Sequence, residues 1–239
     1  MRDREIDEIL RRSAGASPDV DPALVDRVSR SIGSSLGPVR PLPPARLLAA
    51  GLFLICGAVA LGGAAVLGLH GIAKLSGLGI ALIFPVLAIL TWLAAISAIA
   101  EVSPGSRRPS SPALLLAVAS TLLAAVFALL FPDYRTHGFV HQGIACLTAG
   151  LLHALPAGLA GWIVVRRGFA VNPVAAGLAM GTLAGLAGVT MLELHCANFE
   201  APHVMVWHTA VIPLSALAGA LVGRAARFWS GRRGVAMPR

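Results

Sequence analysis

Six stretches dominated by Ala, Leu, Gly, Val and Ile, almost free of charge, alternate with short polar breaks along the chain. They lie at roughly 47–69, 76–100, 113–131, 143–165, 173–194 and 204–223, and each reaches the ~20 residues that cross a hydrocarbon core at about 1.5 Å per residue. Each predicts a transmembrane helix. Pro85 and Pro156 fall inside two of them; in a bundle, neighbouring helices can cover the backbone groups a proline frees. The breaks are short, so consecutive helices are expected to be antiparallel neighbours in one bundle. The fold class expected is therefore an all-α membrane protein. It comprises an N-terminal tail (1–46), a six-helix domain (47–223) and a basic C-terminal tail (224–239).

Helical patterning also appears before the first apolar stretch. MRDREIDEILRRS places Ile6, Ile9 and Leu10 at helical spacing, with acids early and Arg11 and Arg12 late, as the helix dipole favours. After the break GASPD, the pair Asp21-Pro22 reads as an N-cap followed by proline at the first helical position. Leu24, Val25, Val28, Ile32 and Leu36 then form an apolar stripe, and GPVRPLPP leads stiffly to the membrane. Two short amphipathic helices cannot bury a core alone, so their apolar faces need a partner, the inner membrane surface or each other; a cytosolic partner helix surface over Ile6, Leu10, Val25, Val28 and Ile32 is the preferred expectation. A polar stretch of this kind is not expected of a cleaved secretory signal, which needs an early apolar segment.

Charge adds an orientation. Of 239 residues, 56% are hydrophobic and 13% charged, against about 25% charged in soluble domains. With the N-terminus inside, the N-tail, the 101–112 loop, the 166–172 loop and the C-tail carry eight, two, two and five basic residues, which is 17 of the 19. Lys74 and Arg135 alone fall outside. The positive-inside rule then predicts both tails in the cytoplasm, and the basic balance reflects contact with anionic inner-leaflet lipid. No clustered basic face points to nucleic acid.

The candidate chemistry collects on the opposite side. On this topology His70, His137, His141, His195, His203 and His208 take outer positions, and His153 alone lies deeper. The loop ELHCANFEAPHVMVWH, from Glu193 to His208, concentrates them. Cys146 and Cys196 are almost equidistant from the turn RRGFAVN between spans four and five, so they should stand at similar heights on adjacent helices. That arrangement is compatible with a disulfide, whose Cα atoms lie about 4.4–6.8 Å apart. Cys56 reads as a packing residue, and Trp207 as part of an interfacial aromatic belt. Glu193 ends an apolar span, where a carboxylate needs a partner; His195, His203 and His208 are the candidates. Thiols and imidazoles suit soft divalent metals, which makes Cys196, His195, His203 and His208 candidate ligands. Their spacing matches no standard zinc pattern, and His203 and His208, at i and i+5, are not expected on one helical face. In span five, Gly177, Gly181 and Gly185, with Ala184 and Gly188, predict a close-packing stripe that fixes the helix bearing Glu193 and Cys196.

The segment from Gly143 to Gly223 resembles the second half of the NrsF-like family, most specifically in LELHC…H…WH and the upstream ALP…RRG. The first half agrees in hydropathy. The resemblance implies a six-span anti-sigma factor of the bacterial inner membrane. Such a protein holds an extracytoplasmic-function sigma factor and releases it under heavy-metal or oxidative stress. It also implies a responsive cysteine pair, which by motif position is Cys146 and Cys196. The expected sensing set is Cys146, Cys196, His195, His203, His208 and Glu193, with no fixed cofactor beyond a transient divalent metal and with no enzymatic activity. No nucleotide loop, catalytic triad or HExxH motif occurs. The rival expectation is a membrane oxidoreductase that binds metal, haem or quinone through the same histidines. It would need a pair of deep ligands, and His153 is the single deep histidine.

Overall fold

The computed structural model describes residues 8, 11–12, 21–35, 43–103, 105–106, 110–165 and 170–233. Ile6 and Leu10 lie outside them. Among the described residues all regular secondary structure is helical, without strands. The elements are α1 (Pro22–Ser35), α2 (Ala45–Leu67), α3 (His70–Lys74), α4 (Gly77–Val102), α5 (Pro112–Leu130), α6 (Phe139–Val165), α7 (Pro173–His195), α8 (Ala201–His203), a π-helical turn (Val204–His208) and α9 (Thr209–Arg233). α2, α4, α5, α6, α7 and the continuous run from α8 into α9 are the six helices long and apolar enough to cross a membrane.

Proline and short polar side chains set several helix starts. Asp21 Oδ1 accepts from the Ala23 N–H at 2.9 Å, ahead of Pro22. Ser111 and Asn172 do the same for Leu114 and Ala175, at 3.1 and 3.2 Å, ahead of Pro112 and Pro173. Each cap satisfies a donor that has no partner within its own helix. Ser76 caps α4 through Gly79 N–H at 3.1 Å. Pro85, Pro156 and Pro213 sit inside α4, α6 and α9.

Residues 1–41 form one compact unit and residues 42–239 another. In the first, Glu8, Arg11 and Arg12 are helical, and Arg12 pairs with Glu8 at 3.4 Å. Leu24, Val25 and Val28 of α1 are each about half exposed, and Ile32 continues their stripe.

In the second unit α7 is the central helix: 72% of its most apolar window is buried, against 22–39% in the other five. It packs on α2, α4, α6 and α9. Its small residues permit this. A Cβ on Gly177 or Gly181 would strike the backbone carbonyls of Gly219 or Ser215 of α9, and one on Gly185 would lie 2.7 Å from Ile212 Cα. On another face, a Cβ on Gly188 would lie 2.5 Å from Gly150 O of α6. The expected stripe is therefore a real seam, and it joins α7 to two helices at once. Leu183, Leu186, Met191 and Leu192 fill the remaining core with Leu52, Ile83, Leu87, Phe127 and Ile212. Large apolar side chains such as Leu54, Leu61 and Leu129 project outward at 68, 60 and 86% exposure, which suits a lipid surround and not water.

Candidate functional site

Four elements bring the thiols and imidazoles together at one end of the bundle. α6 carries Cys146. The end of α7 carries Glu193, with Cys196 as the residue that follows its last turn. α8 and the π turn carry His203 and His208.

The two sulfurs lie 3.4 Å apart, both as free thiols. Cys196 Sγ lies 3.7 Å from His203 Nε2, and the His203 and His208 rings meet edge-on with centroids 5.3 Å apart. One ligand atom from each of Cys146, Cys196, His203 and His208 lies within 4.8 Å of all the others, a group that could hold a metal ion. Contact with Cys146 and burial push the Cys196 thiol above its ordinary range, while His203 and His208 pull it down.

Behind these four stands a buried acid. Glu193 Oε1 is 2.6 Å from His208 Nδ1, and both side chains are 0% exposed. With Nδ1 held by the acid, Nε2 is the ring nitrogen left for the four-atom group. Among the described residues His208 Nε2, His203 Nδ1 and Glu193 Oε2 have no hydrogen-bond partner. Buried polar atoms are nearly always satisfied, so three such atoms in one cluster depart from the usual rule.

The π turn places the second imidazole. In α-helical geometry, side chains five residues apart point about 140° away from each other, which is why His203 and His208 were not expected on one face. The Thr209 N–H instead reaches back five residues to Val204 O. One residue is thereby taken up in a wider turn, and His208 comes round beside His203. Such π turns recur at functional sites. Trp207, expected in an aromatic belt, lies against Gly143 of α6, where a Cβ would meet the indole ring, and 5.4 Å from the Phe139 ring. It locks the turn onto α6 near Cys146.

Not every expected residue joins the cluster. His195 precedes Cys196 but faces away: its Nδ1–H donates to Gly68 O at 2.9 Å, and its ring lies 6.0 Å from that of His70. Neighbouring residues at a helix end point about 100° apart, so adjacency in sequence does not give adjacency in space. His153, the deep histidine, donates from Nδ1 to Ala149 O at 2.8 Å and packs on Gly63.

A polar cleft of about 520 Å³ adjoins the cluster, lined by residues that include Asp133, His137, Gln142, Asn198 and Glu200. Asn198 Nδ2 donates to Gln142 Oε1 at 2.7 Å, and His137 Nδ1 lies 3.3 Å from Glu200 Oε1. Asp133 pairs with Arg135 at 2.6 Å, which holds its carboxyl down at about 2. The Asp133 carbonyl accepts from the Ala201 N–H at 2.6 Å, and Phe131 stacks on Phe199 at 5.0 Å. These contacts tie the loop before α6 to the loop before α8. Glu200 stands in the loop between His195 and His203, but its tie to His137, 63 residues earlier, left no local mark in the sequence.

No curated protein and no solved structure matches the chain. A family model does, over residues 33–229, and it is described as negative regulator of sigma F. That match spans all six long apolar helices and the whole cluster, so the chain belongs to the NrsF family of negative regulators of a sigma factor.

Proposed function

We propose that this protein is a bacterial inner-membrane anti-sigma factor. It holds an extracytoplasmic-function sigma factor at the cytoplasmic face and releases it when the Cys/His cluster, on the periplasmic side, meets an oxidant or a soft metal. The observation that carries the sensing half is the 3.4 Å approach of Cys146 Sγ and Cys196 Sγ, on different helices and against two histidines. Oxidation by a peroxide would form the sulfur–sulfur bond. The two thiols give up two electrons and two protons, and the peroxide leaves as two molecules of water. That bond would draw α6 and the end of α7 together.

The glycine seam supports a route across the membrane. α7 and α9 leave the cluster together and remain in backbone contact down to Pro173 and Gly223 at the opposite end of the bundle. A shift at the cluster therefore repacks two helices along a contact with no slack, and packed interfaces of this kind respond in discrete steps. The basic residues favour the cytoplasm for that opposite end. Reporter fusions after residues 40 and 225 are expected to read cytoplasmic and one after Phe139 external; an external C-terminus would reverse the sidedness of the cluster.

The sigma factor is held by the tail through Ile6, Leu10, Val25, Val28 and Ile32. The half-exposed stripe Leu24, Val25 and Val28 supports this. Burying a Val or Ile side chain contributes about 1.5–3 kcal/mol, so Val25→Asp with Val28→Asp is expected to weaken capture by well over tenfold. Capture of the purified sigma factor on membranes containing the full chain measures it. Unchanged capture by this variant and by Ile6→Asp/Leu10→Asp would move binding to the cytoplasmic loops.

A further inference from the structure

Four ligand atoms converge in a cluster whose buried acid already holds one imidazole by its far nitrogen. We infer that Cys146 Sγ, Cys196 Sγ, His203 Nε2 and His208 Nε2 form one closed tetrahedral site for a thiophilic d10 divalent cation, zinc or cadmium, with Glu193 as the positioning residue for His208. The inference rests on the sensing role assigned to this cluster and names its ligand set.

The spacing fits the ion. Zinc–sulfur bonds of about 2.3 Å and zinc–nitrogen bonds of about 2.0–2.1 Å give tetrahedral edges of about 3.8 Å between sulfurs, about 3.6 Å between sulfur and nitrogen and about 3.3 Å between nitrogens. The sulfurs are 3.4 Å apart, and Cys196 Sγ is 3.7 Å from His203 Nε2. The outermost separation in the group, 4.8 Å at most, closes by small side-chain rotations. Two thiolates and two imidazoles are a donor set that selects zinc-like ions over magnesium or calcium.

The second observation is the buried acid. Metal-bound histidines almost always donate their other N–H to a carboxylate or carbonyl. Glu193 does this for His208 and leaves Nε2 without a partner among the described residues. Binding displaces the two thiol protons to water, so two thiolate charges neutralise the cation in a low-dielectric site. The π turn completes the set, because an unbroken α-helix would turn His208 away.

The same sulfurs serve either the ion or a disulfide and cannot serve both. A bound ion therefore shields the pair from oxidation and from alkylating reagents.

The test uses the full chain purified in detergent, reduced and stripped of metal, then given zinc alone or cadmium alone. One equivalent is expected to bind. X-ray absorption at the zinc edge should resolve two sulfurs and two nitrogens, and the bound ion should block maleimide labelling of Cys146 and Cys196. Glu193→Gln is expected to weaken affinity 10–100-fold, Cys146→Ser and Cys196→Ser more, and His195→Gln not at all. A shell of oxygen and nitrogen only, a shell with one sulfur, or Glu193→Gln with wild-type affinity overturns the site, and the absorption measurement on the unaltered chain does not depend on any variant folding. If no ion binds while Cys146→Ser still abolishes induction by peroxide, the coordination fails and the sensing role stands. If the ion binds as described while Cys146→Ser responds normally to both oxidant and cadmium, the sensing role fails and the site stands.

Discussion

Gly181→Leu is expected to separate α7 from α9 and to remove most of the folded protein from the membrane. A Cβ at this position would meet Ser215 O and lie 2.7 Å from Ala216 Cα. Both are backbone atoms of a neighbouring helix, so no rotamer change relieves the clash; the helices must move apart. Overpacking costs about 1–3 kcal/mol where side chains can yield, and a clash with backbone belongs at the upper end of that range or beyond it. About 3 kcal/mol corresponds to a fall of about 6–12 °C in midpoint for a domain of this size. Thermal unfolding of the detergent-purified protein measures it. Gly57 is the control, since a Cβ there meets nothing within 4 Å; Gly57→Leu should unfold within about 2 °C of the parent. Equal stability of the two variants would mean that α7 and α9 do not touch along the glycine seam.

The bundle was legible because its physics is one-dimensional. A run of apolar residues long enough to cross the hydrocarbon core marks a span wherever it occurs, and the six runs agree with the six helices to within a few residues at most ends. One helix cap was legible for the same reason. Asp21-Pro22 is a local chemical signal, and the helix beginning at Pro22 obeys it. The glycine stripe announced a close contact, although its partners, Gly219, Ser215 and Ile212, are set by tertiary packing that no spacing encodes.

The cluster was legible in its members more than in its geometry. Glu193 demanded a partner, and three histidines were candidates. The structure places His208 there and turns His195 to Gly68. The choice depends on the π turn over VMVWH, a segment with no glycine, proline or cap to mark it. Counting at 3.6 residues per turn therefore separated two histidines that the fold brings edge to edge. Gly143 and Gly71 likewise carry no local signal in the sequence. The first admits Trp207. The second lets α3 reach the end of α7, where a Cβ would lie 2.6 Å from Glu193 O and 2.7 Å from Cys196 O.

The second large effect is expected at the cysteines. Cys146→Ser or Cys196→Ser removes one sulfur from a pair in contact, and a hydroxyl neither forms the disulfide nor binds a soft ion as a thiolate does. The exchange is nearly isosteric, and Cys146 is only half-buried, so each variant should still insert and still restrain its sigma factor. The response to stress should be lost almost entirely in each single variant. The double variant should be no worse than either, because residues that act as one unit give strongly non-additive effects.

The most direct test of the account is therefore a reporter driven by the cognate sigma factor, read with and without peroxide or cadmium. It is run in cells carrying the parent chain, each single serine variant or the double variant. Low uninduced output is expected in all four, with full induction in the parent and the same near-complete loss of induction in the other three. Normal induction in either single variant, or defects that add in the double, would contradict the account.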